Sequence, residues 1–389
     1  MSARPSDQSL AMIRRLIGFP TVSRDSNLEL IEWVRGYLAD LGVESELVFD
    51  ETGRKANLFA TLGPKDRGGI LLSGHTDVVP VDGQEWVSDP FSVVEKDGRL
   101  YGRGTCDMKS FVAIALALAP EFLHRGLKTP LHFAFSYDEE VGCLGVRRLL
   151  QILKDRPVKP TSCIVGEPTE MQVIKAHKGK HSYRCEIRGF ECHSSIAHTG
   201  VNAVEAAAEI VAFMKRMARE RRANGPFDRN FDPPYTTIHT GTIQGGTALN
   251  IVPKDCAFEF EFRYLPEDDP DAIFAAIETY ARTELEPEMR AVNTDTGIRF
   301  TPLSSFPGLD TLEEAAITTL VKALAGSNSA GKVSFGTEAG LFQDAGIPTI
   351  VCGPGSIAQA HKPNEWIALD QIAACEAFLR QLMDRVCLR

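Results

Sequence analysis

No apolar run in this chain approaches the ~20 residues that a membrane-spanning helix needs. The opening segment MSARPSDQSLAMIRRLIGF also lacks the apolar core and small-residue cleavage site of a secretory signal. Positive charge is in short supply: 42 Lys and Arg against 52 Asp and Glu give a formal charge of -10. That argues against a nucleic-acid surface, because phosphate binding relies on clustered cations. The nine cysteines are odd in number and include no CxxC pair, so free thiols in a reducing compartment are expected rather than a disulfide framework. Internal repeats and low-complexity tracts are missing too. The expectation is a cytoplasmic globular protein acting on small molecules, with neither membrane nor nucleic acid as a partner.

A chain of 389 residues exceeds the ~250–300 residues at which a single hydrophobic core stops growing, which predicts two domains. Helical apolar spacing at residues 7–18 and 27–41, with Asp7 and Ser26 as N-caps, leads into strand-like runs at Asn57–Leu62, Ile70–Gly74, Leu131–Ser136 and Cys163–Val165. Helical stretches at Met108–His124 and Gly145–Lys154 separate them. Strands alternating with helices predict an α/β sheet whose middle strands are buried on both faces. From about 180 to 290 the pattern changes to strands at His181–Arg188, Thr236–Gln244 and Cys256–Tyr264 around helices at Val201–Arg222 and Asp271–Thr283. This predicts an inserted α+β domain. The α/β pattern returns near Phe300, with a helix at Leu312–Leu324, a strand at Thr349–Cys352 and a closing helix from Asp370. The expected boundaries are 1–179 with 292–389 for one domain and 180–291 for the insertion.

Chemistry-bearing residues cluster where such a sheet would use them. His75, Asp138 to Glu140 and Glu167 each follow an apolar strand run, and open α/β sheets form ligand crevices beyond the carboxyl ends of their strands. Asp107 ends a Gly-rich turn and His361 lies near the C-terminus. Two imidazoles and three carboxylates, with a fourth carboxylate to spare, suit two adjacent divalent cations. Plainer roles exist for each residue. His75 and Asp77 could cap a strand end, Asp107 could be an N-cap, and Glu139-Glu140 could be a solvated pair. Two neighbouring carboxylates repel, however, unless cations compensate them. Asp77, two residues along an extended segment from His75, is placed to hold the other ring N–H of that imidazole. Cys106, beside Asp107, reads as a small buried thiol, with a soft-metal role as the alternative.

Five motifs in order, Gly-His-Thr-Asp-Val-Val-Pro at 74, Gly-Arg-Gly-x-x-Asp-Met-Lys at 102, Asp-Glu-Glu-x-Gly at 138, Gly-Glu-Pro-Thr at 166 and His-x-Pro-Asn-Glu at 361, resemble the co-catalytic zinc peptidase and deacylase family. That family includes acetylornithine deacetylases, succinyl-diaminopimelate desuccinylases, glutamate carboxypeptidases and aminoacylases. The resemblance runs from about residue 8 to the end. It implies a mixed-sheet, aminopeptidase-like catalytic domain with an inserted lid and dimerisation domain, and hence a homodimer. It further implies that His75 and Glu167 hold one Zn(2+), that Glu140 and His361 hold a second, and that Asp107 bridges them, with Co(2+) or Mn(2+) as substitutes. Glu139 becomes the general base for a metal-bridging hydroxide and then the acid for the leaving amine, with Asp77 supporting the site.

His193 matches the histidine that dimeric family members lend from the inserted domain to a developing oxyanion; as a lone histidine it could equally be a polar surface group. Asn250 and Arg263 align with substrate-contacting residues, Arg263 as a fork for a carboxylate or, more plainly, as a salt-bridge partner of Glu261. Gly353 and Gly355 would present backbone to the ligand or simply form a strand-to-loop turn. The segment Phe335-Gly-Thr-Glu-Ala-Gly-Leu-Phe342 is similar to that of acetylornithine deacetylases, where desuccinylases carry Gly-Thr-Ser-Asp. Glu338 would then pair with the cationic side chain of ornithine. The expected reaction is hydrolysis of Nα-acetyl-L-ornithine to ornithine and acetate in arginine biosynthesis. The alternatives are another N-acyl amino acid, such as N-acetylcitrulline or N-succinyl-diaminopimelate, and a metal-binding family member without catalysis.

Overall fold

The computed structural model describes residues 4–387. The chain divides into two compact units, one running through Ala176 and adding Leu309–Lys332 and the stretch from Thr337, the other formed by His177–Gly308 with Val333–Gly336.

The first unit is built on a mixed sheet ordered Ser45–Phe49, Ala56–Leu62, Leu131–Ser136, Ile70–His75, Ser162–Pro168, Thr349–Gly353, Ile174–His177, Leu309–Asp310. Its four central strands, from Leu131–Ser136 to Thr349–Gly353, run parallel. Every residue of Ile70–His75 and Leu131–Ser136 is buried, as expected when helices cover both faces of a parallel sheet. Helix Lys109–Arg125 is apolar on nearly every side because it packs against Ile70–His75 beneath helices Asp7–Ile17 and Leu369–Val386. The first two helices begin one residue away from the expected caps. Ser6, not Asp7, caps Asp7–Ile17 through its hydroxyl. Asn27, not Ser26, precedes Leu28–Asp40, and its amide is committed to Ala56 and Thr76 instead.

The second unit is a four-stranded antiparallel sheet ordered Thr237–Gly245, Asp255–Tyr264, Gly179–Arg188, Gly297–Phe306. Along Asp255–Tyr264 burial alternates. Cys256, Phe258, Phe260, Phe262 and Tyr264 enter a core with residues of helices Ala203–Asn224 and Pro270–Tyr280, while Glu259 and Glu261 stay on the other face as ion-pair partners of Arg184 and Lys180. Strand Gly297–Phe306 pairs with Gly179–Arg188, so the insertion closes at Gly308 rather than at the expected 291. Sequence periodicity missed that strand because Pro302 and two serines interrupt its apolar run. Among the described residues no helix is long and apolar enough to cross a membrane.

Two histidines, one in each unit, are buried as neutral rings. Burial, with Arg156 adding repulsion, pushes His132 down to about 4. Burial does the same to His177, again to about 4, its Nδ1 donating to the Lys178 carbonyl while Nε2 has no partner. The unfolded chain takes up these protons near the ordinary value of 6.5, so between pH ~6.5 and ~4 it binds more protons than the folded state. Stability should fall with pH across that window by up to about 1.4 kcal/mol per unit for each histidine. Urea midpoints measured from pH 7 to pH 5 check this: H132Q should show a shallower slope, and an unchanged slope would contradict neutral burial.

Candidate metal centre

Three adjacent parallel strands bring the first ligand candidates together. His75 ends Ile70–His75, Glu139 and Glu140 follow Leu131–Ser136, and Glu167 lies near the end of Ser162–Pro168. Two loops add the rest: Asp107 precedes helix Lys109–Arg125, and His361 follows Thr349–Gly353 with a positive φ of 63°. Asp107 does not cap the helix. Met108 occupies that position without a side-chain hydrogen bond, which leaves the Asp107 carboxylate free to face two imidazoles. Its Oδ1 is 3.1 Å from Nε2 of His75, and its Oδ2 is 3.3 Å from Nε2 of His361. Glu167 lies 3.6 Å from the same nitrogen of His75, and Glu140 lies 2.9 Å from that of His361. One carboxylate thus spans two imidazole–carboxylate pairs, one oxygen toward each.

The electrostatics of this cluster fit cations. Asp107 is held well below the usual carboxylate range: burial would raise it, but hydrogen bonds with His361 and His75 more than offset that. Glu167 is pushed well up by burial and by the charge of Asp107, and burial with neighbouring carboxylates raises Glu139 and Glu140 as well. Burial alone would lower His75, yet Asp107, Glu167 and Glu139 raise it. So many carboxylates cannot all ionise in a desolvated site without compensating positive charge. Two donor groups, His75–Glu139–Glu167 and His75–Asp107–Glu140, each have ligand atoms within 4.8 Å of one another. Nitrogen and oxygen donors without thiolate suit divalent cations. Cys106 is in neither group; it is a buried thiol donating to the Ser356 carbonyl.

Asp77 supports the site differently from expectation. Nδ1 of His75 meets the backbone carbonyl of Asp77 at 2.8 Å, while the carboxylate is 3.6 Å away. The carboxylate instead accepts from the Ser23 hydroxyl at 2.7 Å and from the Glu139 backbone N–H at 3.1 Å, fixing the turn that carries both glutamates. Asp138 on that turn, at a φ of 55°, is pinned by Lys55 at 2.6 Å. Neither Ser23 nor Lys55 carried a sequence signal.

The chain matches the profile of peptidase family M20/M25/M40 over residues 71–385. It belongs to that family. It is similar to the acetylornithine deacetylase of Myxococcus xanthus, 34% identical over an alignment that covers 97% of each chain. The acetylornithine deacetylase of Pasteurella multocida is also 34% identical, over 97% of this chain and 98% of its own. Among solved structures, an M20 metallo-carboxypeptidase from Sulfolobus solfataricus superposes with a TM-score of 0.76 at 18% identity, covering 97% of this chain and 99% of that one. A dinuclear metal-binding M20 peptidase from Bacillus subtilis gives a TM-score of 0.66 at 15% identity, over 97% and 96%. At such identities the likeness is one of fold. Family and relatives together make this M20 protein a hydrolase acting on amide bonds.

The remaining sequence candidates fall into two sets. His193 and Asn250 come together in the second unit, where the Ser194 N–H donates to the Asn250 carbonyl and His193 pairs with Ile251. Arg263 stands apart on Asp255–Tyr264, bonded to Glu261 at 3.0 Å. Three residues of the first unit are not placed to meet a substrate. Glu338 is 1% exposed, and its two oxygens accept from Ser73 at 2.5 Å and Ser136 at 2.8 Å, so its carboxylate is spent inside the sheet and cannot serve an ornithine ammonium. The N–H and carbonyl of Gly353 both bond Thr169, and a Cβ there would lie 2.0 Å from the Gly166 carbonyl. Gly355, at a φ of 91°, donates to Gln371 and accepts from Glu170. Strand packing and the turn account for both glycines.

Proposed function

We propose that this M20 hydrolase is a two-metal Nα-acetyl-L-ornithine deacetylase that releases acetate and ornithine in arginine biosynthesis. The observation that carries the metal centre is Asp107, one oxygen toward each of two imidazole–carboxylate pairs. His75 and Glu167 would hold one Zn(2+), Glu140 and His361 the other, and Asp107 both. Bound cations polarise the acyl oxygen and lower the pKa of the attacking water. Glu139 is the carboxylate left over from that assignment. Held by its backbone to Asp77 and close to both His75 and Glu167, it takes the proton of the water and returns it to the leaving amine. The substrate rests on the two relatives of that name.

His193 and Asn250 would bind the acyl oxygen and Arg263 the α-carboxylate. Within the second unit Arg263 lies far from His193 and Asn250. Lys180 pairs with Arg263 and Arg188 with Asp255, after which the chain runs on toward His193. Eight residues of strand separate those pairs, ~27 Å at ~3.4 Å per residue. Contact of all of them with one small substrate therefore calls for two copies of the chain. A homodimer is supported by the outer strand Thr237–Gly245, whose last five residues are exposed. The nine free thiols support a cytoplasmic location.

The test is acetate release by zinc-loaded protein from Nα-acetyl-L-ornithine, beside N-acetylcitrulline and N-acetylmethionine, with N-succinyl-diaminopimelate hydrolysis followed as release of succinate. Acetylornithine should lead by more than tenfold in kcat/KM, about 1.4 kcal/mol of transition-state binding. A lead by another substrate overturns the substrate assignment and leaves the metal centre standing.

A further inference from the structure

Glu365 lies beneath the metal centre, wholly buried, and the mechanism above makes no use of it. Its Oε1 accepts the backbone N–H groups of Cys106 at 2.7 Å and Asp107 at 3.0 Å. Its Oε2 accepts the N–H of Gly104 at 3.1 Å and Nη1 of Arg103 at 2.7 Å. The Glu365 carbonyl also accepts the Gly102 N–H at 2.9 Å. Five donors from one six-residue turn thus converge on a single residue, and that turn carries Asp107. Arg103, 1% exposed, extends the connection to the other loop: Nη1 reaches the Lys362 carbonyl at 3.3 Å, and Nη2 reaches Oε1 of Gln84 at 2.6 Å. Nε2 of Gln84 then donates to the His361 carbonyl at 3.0 Å.

A buried ion pair is costly to desolvate unless its geometry is good and its remaining lone pairs and protons are satisfied. Here four donors saturate the carboxylate, while of the guanidinium Nη1 and Nη2 are bonded and Nε is not. The network ties together the two loops that supply Asp107 and His361, residues 254 positions apart in sequence (361 minus 107). Those ligands need such a tie. Asp107 sits among Glu140, Glu167 and Glu139, whose charges repel it, and His361 is 55% exposed on a loop with left-handed backbone.

We infer that Glu365 is a positioning residue for the metal centre. It sets the direction of the Asp107 carboxylate and, through Arg103 and Gln84, the place of His361, so that binding of the second cation depends on a clamp that touches neither ion. This rests on the ligand assignment proposed above. Partners of this kind typically govern metal affinity by about 10- to 100-fold.

Two variants of the full-length protein test it, read by calorimetric titration of the metal-stripped protein with Zn(2+) and by the visible spectrum of the Co(2+)-loaded form. E365Q keeps the side-chain shape but turns an amide N–H₂ toward N–H donors. It should weaken both cations about 10- to 100-fold and alter the Co(2+) bands. Q84A removes the outer link, together with the 3.1 Å bond from the Trp86 indole to Gln84, and leaves the Arg103–Glu365 pair intact, so it guards against E365Q failing to fold. It should weaken the second cation by about tenfold, within the same range, and leave the first unchanged. Wild-type affinities and spectra in Q84A would overturn the clamp, as would equal loss of both cations in Q84A. If the unaltered protein itself binds fewer than two cations, the ligand assignment fails and not the clamp.

Discussion

E139Q should bind as much metal as the unaltered protein and turn over substrate about 10²- to 10⁴-fold more slowly, the range typical of a lost general acid–base group. The amide keeps the size of the carboxylate and the backbone bond to Asp77, but it cannot take up the proton of the attacking water. The outcome also separates two roles that proximity leaves open, because Glu139 shares a possible donor group with His75 and Glu167. If Glu139 were a ligand, E139Q would lose metal along with activity. Metal content by elemental analysis and kcat on Nα-acetyl-L-ornithine decide it. A near wild-type rate would remove Glu139 from proton transfer.

D107N should have the larger effect on metal. Among the described residues Asp107 alone pairs with both imidazoles, and its hydrogen bonds to them favour its charged form. Replacing one oxygen by an N–H₂ leaves one imidazole–carboxylate pair without a third donor and removes a full negative charge from between two cations. Affinity for both should fall beyond the about 100-fold seen when only an outer partner is lost, with turnover lost in parallel. Calorimetric titration with Zn(2+) measures this directly. Retention of two tightly bound ions by D107N would show that Asp107 is not the bridge.

Most of the candidate site residues were legible in the sequence for a physical reason. His75, Glu139, Glu140 and Glu167 follow apolar runs that are adjacent parallel strands, so the rule that places sites beyond strand ends holds for all of them at once. Asp107 and His361 come from loops, where periodicity says nothing, and donor chemistry together with motif resemblance pointed to them. Side chains that act at long range were misjudged or missed. The Asp77 carboxylate comes within 3.6 Å of the His75 ring, but its backbone carbonyl reaches that ring first at 2.8 Å and frees the carboxylate for Glu139. Glu338 looked like a substrate partner at the start of a helix, while its true partners, Ser73 and Ser136, sit on strands 265 and 202 residues away. Glu365 stood in a recognised motif without a role, because its work is done on a turn about 260 residues earlier, the span between it and the Gly104 and Cys106 N–H groups. Spacing along a chain carries no record of such contacts.

The most direct test of the two-metal amidase is to strip the protein with a chelator and titrate Zn(2+) back while following bound metal and acetate release from Nα-acetyl-L-ornithine together. The expected result is no turnover in the stripped protein, two cations bound per chain at saturation, and activity that returns as they bind. Full turnover in the stripped protein, or saturation without binding at the Asp107 centre, would contradict it.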